Sequence, residues 1–319
     1  MRRRVLHTSA LTAAACALAL AGTALHGRQT TSGYDLALVG VDGTRRVLGQ
    51  LPASVFAPRL SPDGARVAFE TGDTNGLDGA RLWIADVKDL SSRRSLSTVV
   101  GRLNWAPIWS VDGERLVFLV SGDRPDALYW RRAGGAGDAE YLVDARSAEG
   151  WIGSGAGLQF LTLTGNRDYG ISVLDLKTRK PATLIDLPGS AQHSGAVSPD
   201  GRWIAYVSNE TGRYEVWLEP LPRTGSRYQL TREGGGHPLW LPDGKALYID
   251  RQQQIFRLAI DTASPSTVEQ PVALPVRGFV QGELRRQYDV MPDGSAFLML
   301  FPSTPAPDDS GGRRSGLAR

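Results

Sequence analysis

The sequence predicts an all-β fold class, six repeats of one four-stranded unit closed into a ring. Three observations carry this. Asp-Gly recurs five times in one context, "RLSPDGARVAFE", "IWSVDGERLVFL", "AVSPDGRWIAYV", "LWLPDGKALYID" and "DVMPDGSAFLML", at Asp63, Asp112, Asp200, Asp243 and Asp293. The gaps between these Asp residues are 49, 88, 43 and 50, so the long one holds two repeats. The 37 Gly and 19 Pro among 319 residues suit many short strands joined by tight turns better than long helices. A period of 40–50 residues with four strands per repeat is that of a β-propeller.

Along the chain, residues 1–24 come first. "MRRR" is a basic start, the following run is rich in Ala and Leu, and "GTALHG" offers small residues for cleavage after Ala24. This reads as a secretory signal that places the rest in the periplasm or outside the cell. An uncleaved anchor is the alternative, and Cys16 after "AAA" weakly resembles a lipidation box, so contact with a membrane is expected only through this segment. The signal carries Arg2, Arg3 and Arg4 and no acid, which leaves 33 basic against 33 acidic residues in the remainder. A neutral body gives no case for nucleic acid. Cys16 is the only cysteine, so the mature chain is held by packing without disulfides.

Residues 25–33 read as a linker and 34–301 as the propeller. "YDLALVGVDGTRRVL" (34–48) has the look of a third and fourth strand without a first and second. It is expected to pair into the last unit and close the ring, because an open ring exposes sheet edges. Each following unit reads alike. A short strand enters the Asp-Gly turn, a second strand alternates, as Trp203, Ala205 and Val207 do against Ile204 and Tyr206, and a polar loop follows. The third strands are "RLWIAD", "LYWRR", "ISVLDL", "EVWLEP" and "QIFRLAI", and weaker fourth strands are expected at "LSTVV", "AEYLV", "PATLI" and "RYQLT". The degenerate third unit is "GWIGSGAGLQFLTL", which aligns Phe160 with Phe69, Phe118 and Tyr206, Ser154-Gly155 with the Asp-Gly pairs, and Trp151 with Trp109 and Trp240. The sixth unit begins near Leu284 and has room for two strands, and residues 302–319 read as a disordered tail.

These units resemble the TolB-like β-propeller repeats, marked by a Trp-Ser-Pro-Asp-Gly-Lys-like turn before an Ile-Ala-Phe/Tyr strand. "SPDGRWIAYVSNETGRYEVWLEPL" and "HPLWLPDGKALYI" carry the likeness, which spans Tyr34 to Phe301. The resemblance implies the fold but not a function, since the repeat is a scaffold. The α/β domain that precedes the propeller in TolB has no counterpart in the residues before Tyr34. "YEVWLEPLPRTGSRYQLTREGGGHPLW" also resembles propellers appended to bacterial receptor-like kinases, but no kinase motif accompanies it.

No catalytic constellation stands out, and no cofactor is implied. Asp63, Asp112, Asp200, Asp243 and Asp293 recur round a ring and read as turn residues. Trp83, Trp109, Trp130, Trp151, Trp217 and Trp240 read as equivalent core positions between blades. "GSGAG" misplaces Ser154 for a nucleophile elbow. Of four His, only His193 and His237 lie in the propeller, seven and six residues before an Asp-Gly turn. The innermost strand of a blade lines the central channel, so Phe56, Trp105, His193, His237, Arg286 and Gln287 are expected to ring one mouth of it. The sequence thus supports a monomeric, non-enzymatic exported binder of a protein, peptide or envelope ligand, through a propeller face or this mouth. The alternative is a metal-dependent lyase or hydrolase, with His193 and His237 as ligands beside a Gln; some propeller lyases acting on acidic sugars resemble that arrangement.

Overall fold

The computed structural model describes residues 33–303 except 53, 73–79, 97–102, 123–124, 154, 164–167, 263–268 and 283–284. The expected signal, Cys16, Ser154 and nearly all of the linker and tail lie outside the described residues. Twenty-four strands form six four-stranded antiparallel sheets, the blades of a β-propeller. Blade 1 is β3 (Val55–Leu60), β4 (Arg66–Thr71), β5 (Arg81–Asp86) and β6 (Asp89–Ser95). Blade 2 is β7 (Leu103–Trp109), β8 (Arg115–Ser121), β9 (Ala127–Arg132) and β10 (Glu140–Asp144). Blade 3 is β11 (Ser147–Ile152), β12 (Gly157–Leu163), β13 (Tyr169–Asp175) and β14 (Lys180–Ile185). Blade 4 is β15 (Gln192–Val197), β16 (Trp203–Ser208), β17 (Glu215–Pro220) and β18 (Tyr228–Gln229). Blade 5 is β19 (Gly236–Trp240), β20 (Ala246–Arg251), β21 (Gln254–Ala259) and β22 (Val272–Arg277). Blade 6 joins the two ends of the chain: β23 (Tyr288–Val290) and β24 (Ala296–Pro302) pair with β1 (Tyr34–Gly40) and β2 (Arg45–Leu51), in the order β2-β1-β24-β23. The ring closure and the degenerate third blade are therefore as the repeats predict.

Burial explains why the second strands read as hydrophobic runs. β16 is buried on both faces, because each face packs against a different neighbour. Ile204 and Tyr206 join Leu161, Ile171 and Ile185 of blade 3, whereas Ala205 and Val207 join Trp240, Leu247 and Ile249 of blade 5. The two-residue alternation of a strand thus sorts side chains between two interfaces rather than between core and solvent. Six such apolar clusters, one per blade interface, make up the core.

The outermost strands show where pattern reading fails. Blade 1 was expected to end on "LSTVV", but its fourth strand is β6, "DLSSRRS", exposed at all positions but one. It pairs Asp89 with Asp86 and Ser95 with Trp83, straight after a turn at Val87-Lys88. A rim strand has only one sheet neighbour and faces water, so its sequence needs no apolar run. Leu96 is buried beyond its end, and 97–100 lie outside the described residues.

The Asp-Gly pairs lie in the turns between the first and second strands of their blades. In the five Asp-Gly units the Asp Oδ1 accepts the backbone N–H two residues on, at 2.9–3.1 Å. In blades 1, 2 and 4 the serine of the turn (Ser61, Ser110, Ser198) also donates its hydroxyl to that Asp. These bonds favour the charged carboxylate and hold Asp200 down at about 2, chiefly through the Ser198 hydroxyl. Each Gly has φ between +68° and +94°, Gly155 of the degenerate unit included. The turns also touch round the ring: a Cβ on Gly113 would lie 3.3 Å from Pro62, on Gly294 3.5 Å from Pro242, and on Gly64 3.1 Å from Pro292. The proline of one turn thus fits over the glycine of the next, which gives Pro-Asp-Gly a packing reason as well as a conformational one. Gly244→Ala, where the nearest atom is Pro199 at 3.7 Å, isolates the cost of positive φ, about 1–2 kcal/mol. Gly64→Ala, at the same φ but 3.0 Å from Met291, should cost about 1 kcal/mol more. Urea unfolding of the two variants checks this, and equal losses would count against turn-on-turn packing.

Candidate ligand site in the central channel

The innermost strands are interrupted at one place. Their register to the second strand slips at Phe56/Arg59, Trp105/Ile108, Ala148/Gly150, His193/Ala196 and Gly236/Leu239. In four of these bulges a non-glycine residue has positive φ: Ala57 at 49°, Ala106 at 48°, Ser194 at 56° and His237 at 45°. Bulges re-aim backbone and side chains, and here they turn amides toward the preceding blade. Gln287 Oε1 accepts the Ala57 N–H at 2.8 Å, a Glu70 carboxylate oxygen accepts that of Ala106, and Glu149 Oε2 accepts that of Gly195 at 3.2 Å. Where the residue after the bulge is Pro58, Pro107 or Pro238, there is no further N–H to satisfy.

The six residues expected at a channel mouth separate into three kinds. His193, His237 and Gln287 are buried, at 2%, 3% and 6% exposure, rather than at a solvated rim. Gln287 is a staple between blades 6 and 1. Phe56 and Trp105 are half-buried, and the Arg285 guanidinium lies 5.6 Å from the Trp105 ring. Arg286 donates to Asp289 at 3.1 Å and to the Tyr288 carbonyl at 2.8 Å. Of the six, only His237 and Arg286 line the central cavity, a space of about 40 Å³. Its wall draws on every blade, with Arg59, Ala106, Glu149, Ser194, His237 and Arg286 among the residues on it.

The two His form a pair. Their ring centroids are 6.3 Å apart. His237 Nδ1 sits 3.1 Å from both oxygens of Asp250, and His193 Nδ1 is 2.9 Å from the Ser194 hydroxyl. Both Nε2 atoms are buried with no hydrogen-bond partner among the described residues. Burial, with His237 as neighbour, pulls the His193 pKa down to about 3, so its imidazole is neutral at physiological pH.

Beside Arg286, the channel carries charges that the repeat pattern does not reveal. Arg59 and Glu149 line the cavity, and so does Arg285, which pairs with Glu70 at 3.1 Å. Burial pushes the Glu149 carboxyl up to about 8, against the Ser194 and Gly195 amides and the cations of Arg286 and Arg59, which act the other way. Burial and then Arg286 lower Arg59 to about 10, which leaves it charged at neutral pH. A signal for Glu149 did exist. It stands in the degenerate repeat where three sister blades carry Pro58, Pro107 and Pro238.

The Trp set divides as well. Trp109, Trp151 and Trp240 end first strands, and each Nε1 donates to a carbonyl on the first strand of the preceding blade: Arg59 at 3.0 Å, Trp109 at 2.7 Å and Ala196 at 2.9 Å. Trp83, Trp130 and Trp217 lie on third strands and so are not equivalent to the first three.

No family model matches the chain. Over 99 residues, 31% of this chain, it is 29% identical to the Tol-Pal system protein TolB of Alcanivorax borkumensis, and the match spans only 22% of that relative's length. It is similar to a solved structure assigned as a TolB from Agrobacterium tumefaciens, with a TM-score of 0.65 and 18% identity over 85% of this chain and 99% of that one. TolB from Acinetobacter baumannii is similar at a TM-score of 0.58 and 18% identity, over 80% of this chain and 66% of that one. At such identities the likeness to the solved structures is one of fold. The described chain is thus a six-bladed β-propeller, similar in fold to the solved TolB structures.

Proposed function

We propose that the chain is a non-enzymatic binding protein that acts outside the cytoplasm, with a protein or peptide of the cell envelope docking at the channel end formed by the strand bulges. The observation that carries this reading is how the polar groups of the channel are used. Glu70, Gln287 and Asp289 each accept a backbone N–H of the next blade, which makes them parts of the wall rather than groups free for chemistry. Half-buried Phe56 and Trp105 beside the bulges supply the aromatic surface that protein recognition favours. The likeness to a protein named for the Tol-Pal system supports an envelope partner, and export rests on residues 1–24. The test is affinity capture from an envelope extract, followed by direct binding of the purified partner. Phe56→Ala and Trp105→Ala should each weaken binding at least about tenfold, while the melting temperature stays within a few degrees. A partner that binds both variants as it binds the parent would overturn docking at this end.

One observation favours a second reading, a metal-dependent lyase or hydrolase. The bare, buried Nε2 atoms of His193 and His237 are candidate metal ligands, with Asp250 behind His237 in the manner of an outer-sphere carboxylate. Among the described residues no third His, Cys, Asp or Glu completes a cluster. Substoichiometric metal after dialysis against zinc or manganese would exclude this reading.

A further inference from the structure

Arg59 is the channel cation with the least compensation. Its Nη1 donates to the Pro58 carbonyl at 2.8 Å, and among the described residues it takes part in no ion pair. Its neighbours are committed, Arg285 to Glu70 and Arg286 to Asp289, each at 3.1 Å. Across the same cavity stands Glu149, on β11. Its oxygen accepts the Gly195 amide on β15, and the charged groups acting on it are Arg59 from β3 and Arg286 just before β23. The other titratable group on the wall, His237 of β19, is held by Asp250. Asp289, Glu70 and Glu149 act on Arg59 from farther off. The cavity thus has one cation without an ion pair of its own facing one carboxyl group that is protonated at neutral pH.

We propose that the central cavity binds a single carboxylate group, held by Arg59 and Glu149. The Arg59 guanidinium offers a planar fork of donors that matches a carboxylate. The protonated Glu149 carboxyl donates its O–H to the same anion. The cavity volume, about 40 Å³, is room for about three waters, which fits the three heavy atoms of a carboxylate while the remainder of the ligand extends outward. Arg59, Glu149, Arg285 and Arg286 are half-buried rather than sealed, so the site is reachable. The carboxylate comes from a free small acid or from the acidic side chain or C-terminus of a docked chain. The second source rests on the docking proposed above.

The sign of the pH dependence follows from Glu149. Its pKa is raised to about 8, so a ligand anion meets a neutral donor below that pH and a like charge above it. Calorimetric titration of the full chain uses acetate, a short peptide with a free C-terminus, and the same peptide amidated, each at pH 6.5 and 9.5. Acetate or the free-acid peptide should bind at the lower pH and lose at least about tenfold at the higher, since one proton is taken up with the anion. Binding of acetate alone assigns the site to small acids, and preference for the free-acid peptide assigns it to a docked chain. Arg59→Gln should lose at least about tenfold at both pH values. Glu149→Gln cannot ionise and keeps an oxygen for the Gly195 amide, so it should bind with a flat pH profile. If neither acid binds, or the amidated peptide binds equally well, or the parent profile is already flat, the proposal fails. Such a failure alongside a partner complex that Phe56→Ala weakens would leave the docking reading standing, whereas a partner that binds Phe56→Ala and Trp105→Ala as it binds the parent, with acetate binding retained, would remove the docking reading and leave the carboxylate site.

Discussion

Removing residues 34–51 leaves a chain that cannot hold its fold. β1 pairs along its whole length with β24, from Tyr34↔Pro302 to Gly40↔Ala296. Leu36, Ala37, Leu38 and Val39 are at most 9% exposed, and they feed the clusters on both sides of blade 6. Burial of a large aliphatic side chain is worth about 1.5–3 kcal/mol. The three largest of these, with the ladder hydrogen bonds, therefore approach the whole stability of an ordinary domain, about 5–15 kcal/mol. Deletion also strips the edge of β24 and exposes Leu298, Met299 and Leu300, now fully buried. Circular dichroism should show no cooperative melt, and gel filtration an expanded or aggregated species. A truncated protein that melts within about 5 °C of the full chain would refute closure through β1.

Trp109→Ala should be among the most damaging single substitutions, at about 3–5 kcal/mol. Trp109 is 5% exposed and packs with Leu82, Ile84, Leu116 and Phe118 at the interface of blades 1 and 2. Its Nε1 bonds the Arg59 carbonyl, and the Arg66 guanidinium lies 4.6 Å over its ring. Trp109→Phe keeps most of the apolar contact and loses the hydrogen bond, so it should cost nearer 1–2 kcal/mol. Denaturant unfolding separates the two. An alanine variant that loses less than about 1 kcal/mol would mean that the blades do not depend on this staple.

Much of the fold is legible in the sequence because the turns are chemically strict. Gly64, Gly113, Gly201, Gly244 and Gly294 all need positive φ, so the motif keeps its spelling in five blades and registers the sixth. Phe160 and Trp151 place the degenerate blade even though Ser154 replaces the Asp. The outer strands are the least legible, as β6 shows, because a one-sided rim strand constrains its residues weakly. Spacing from the Asp-Gly turns places His193 and His237 on first strands, where β15 and β19 carry them. Their burial is not readable, because it depends on Tyr214, just before β17, and on Asp250 of β20. Glu70 and Asp250 close apolar runs on β4 and β20 and so look like strand ends, when in fact Glu70 accepts the Ala106 amide of the next blade and Asp250 meets His237 on the adjacent strand of its own blade. Glu149 was passed over because it lies in the one blade where the repeat pattern breaks down.

The pairing of β1 with β24 also sets an order of events in time. The Ser303 hydroxyl meets Asp35 across 268 residues, whereas five blades pair only within themselves. Closing a loop of that size costs roughly 2 kcal/mol more than closing one of blade length, a modest thermodynamic difference. Its kinetic meaning is larger. Of the described strands, β1 is made first and waits for β24, made last, so five blades can assemble locally while two sheet edges stay open. Any chain halted short of Phe301 is left with β1 unmatched, a state that proteases and aggregation act upon. Ring closure is thus a check that only a chain extended through β24 passes.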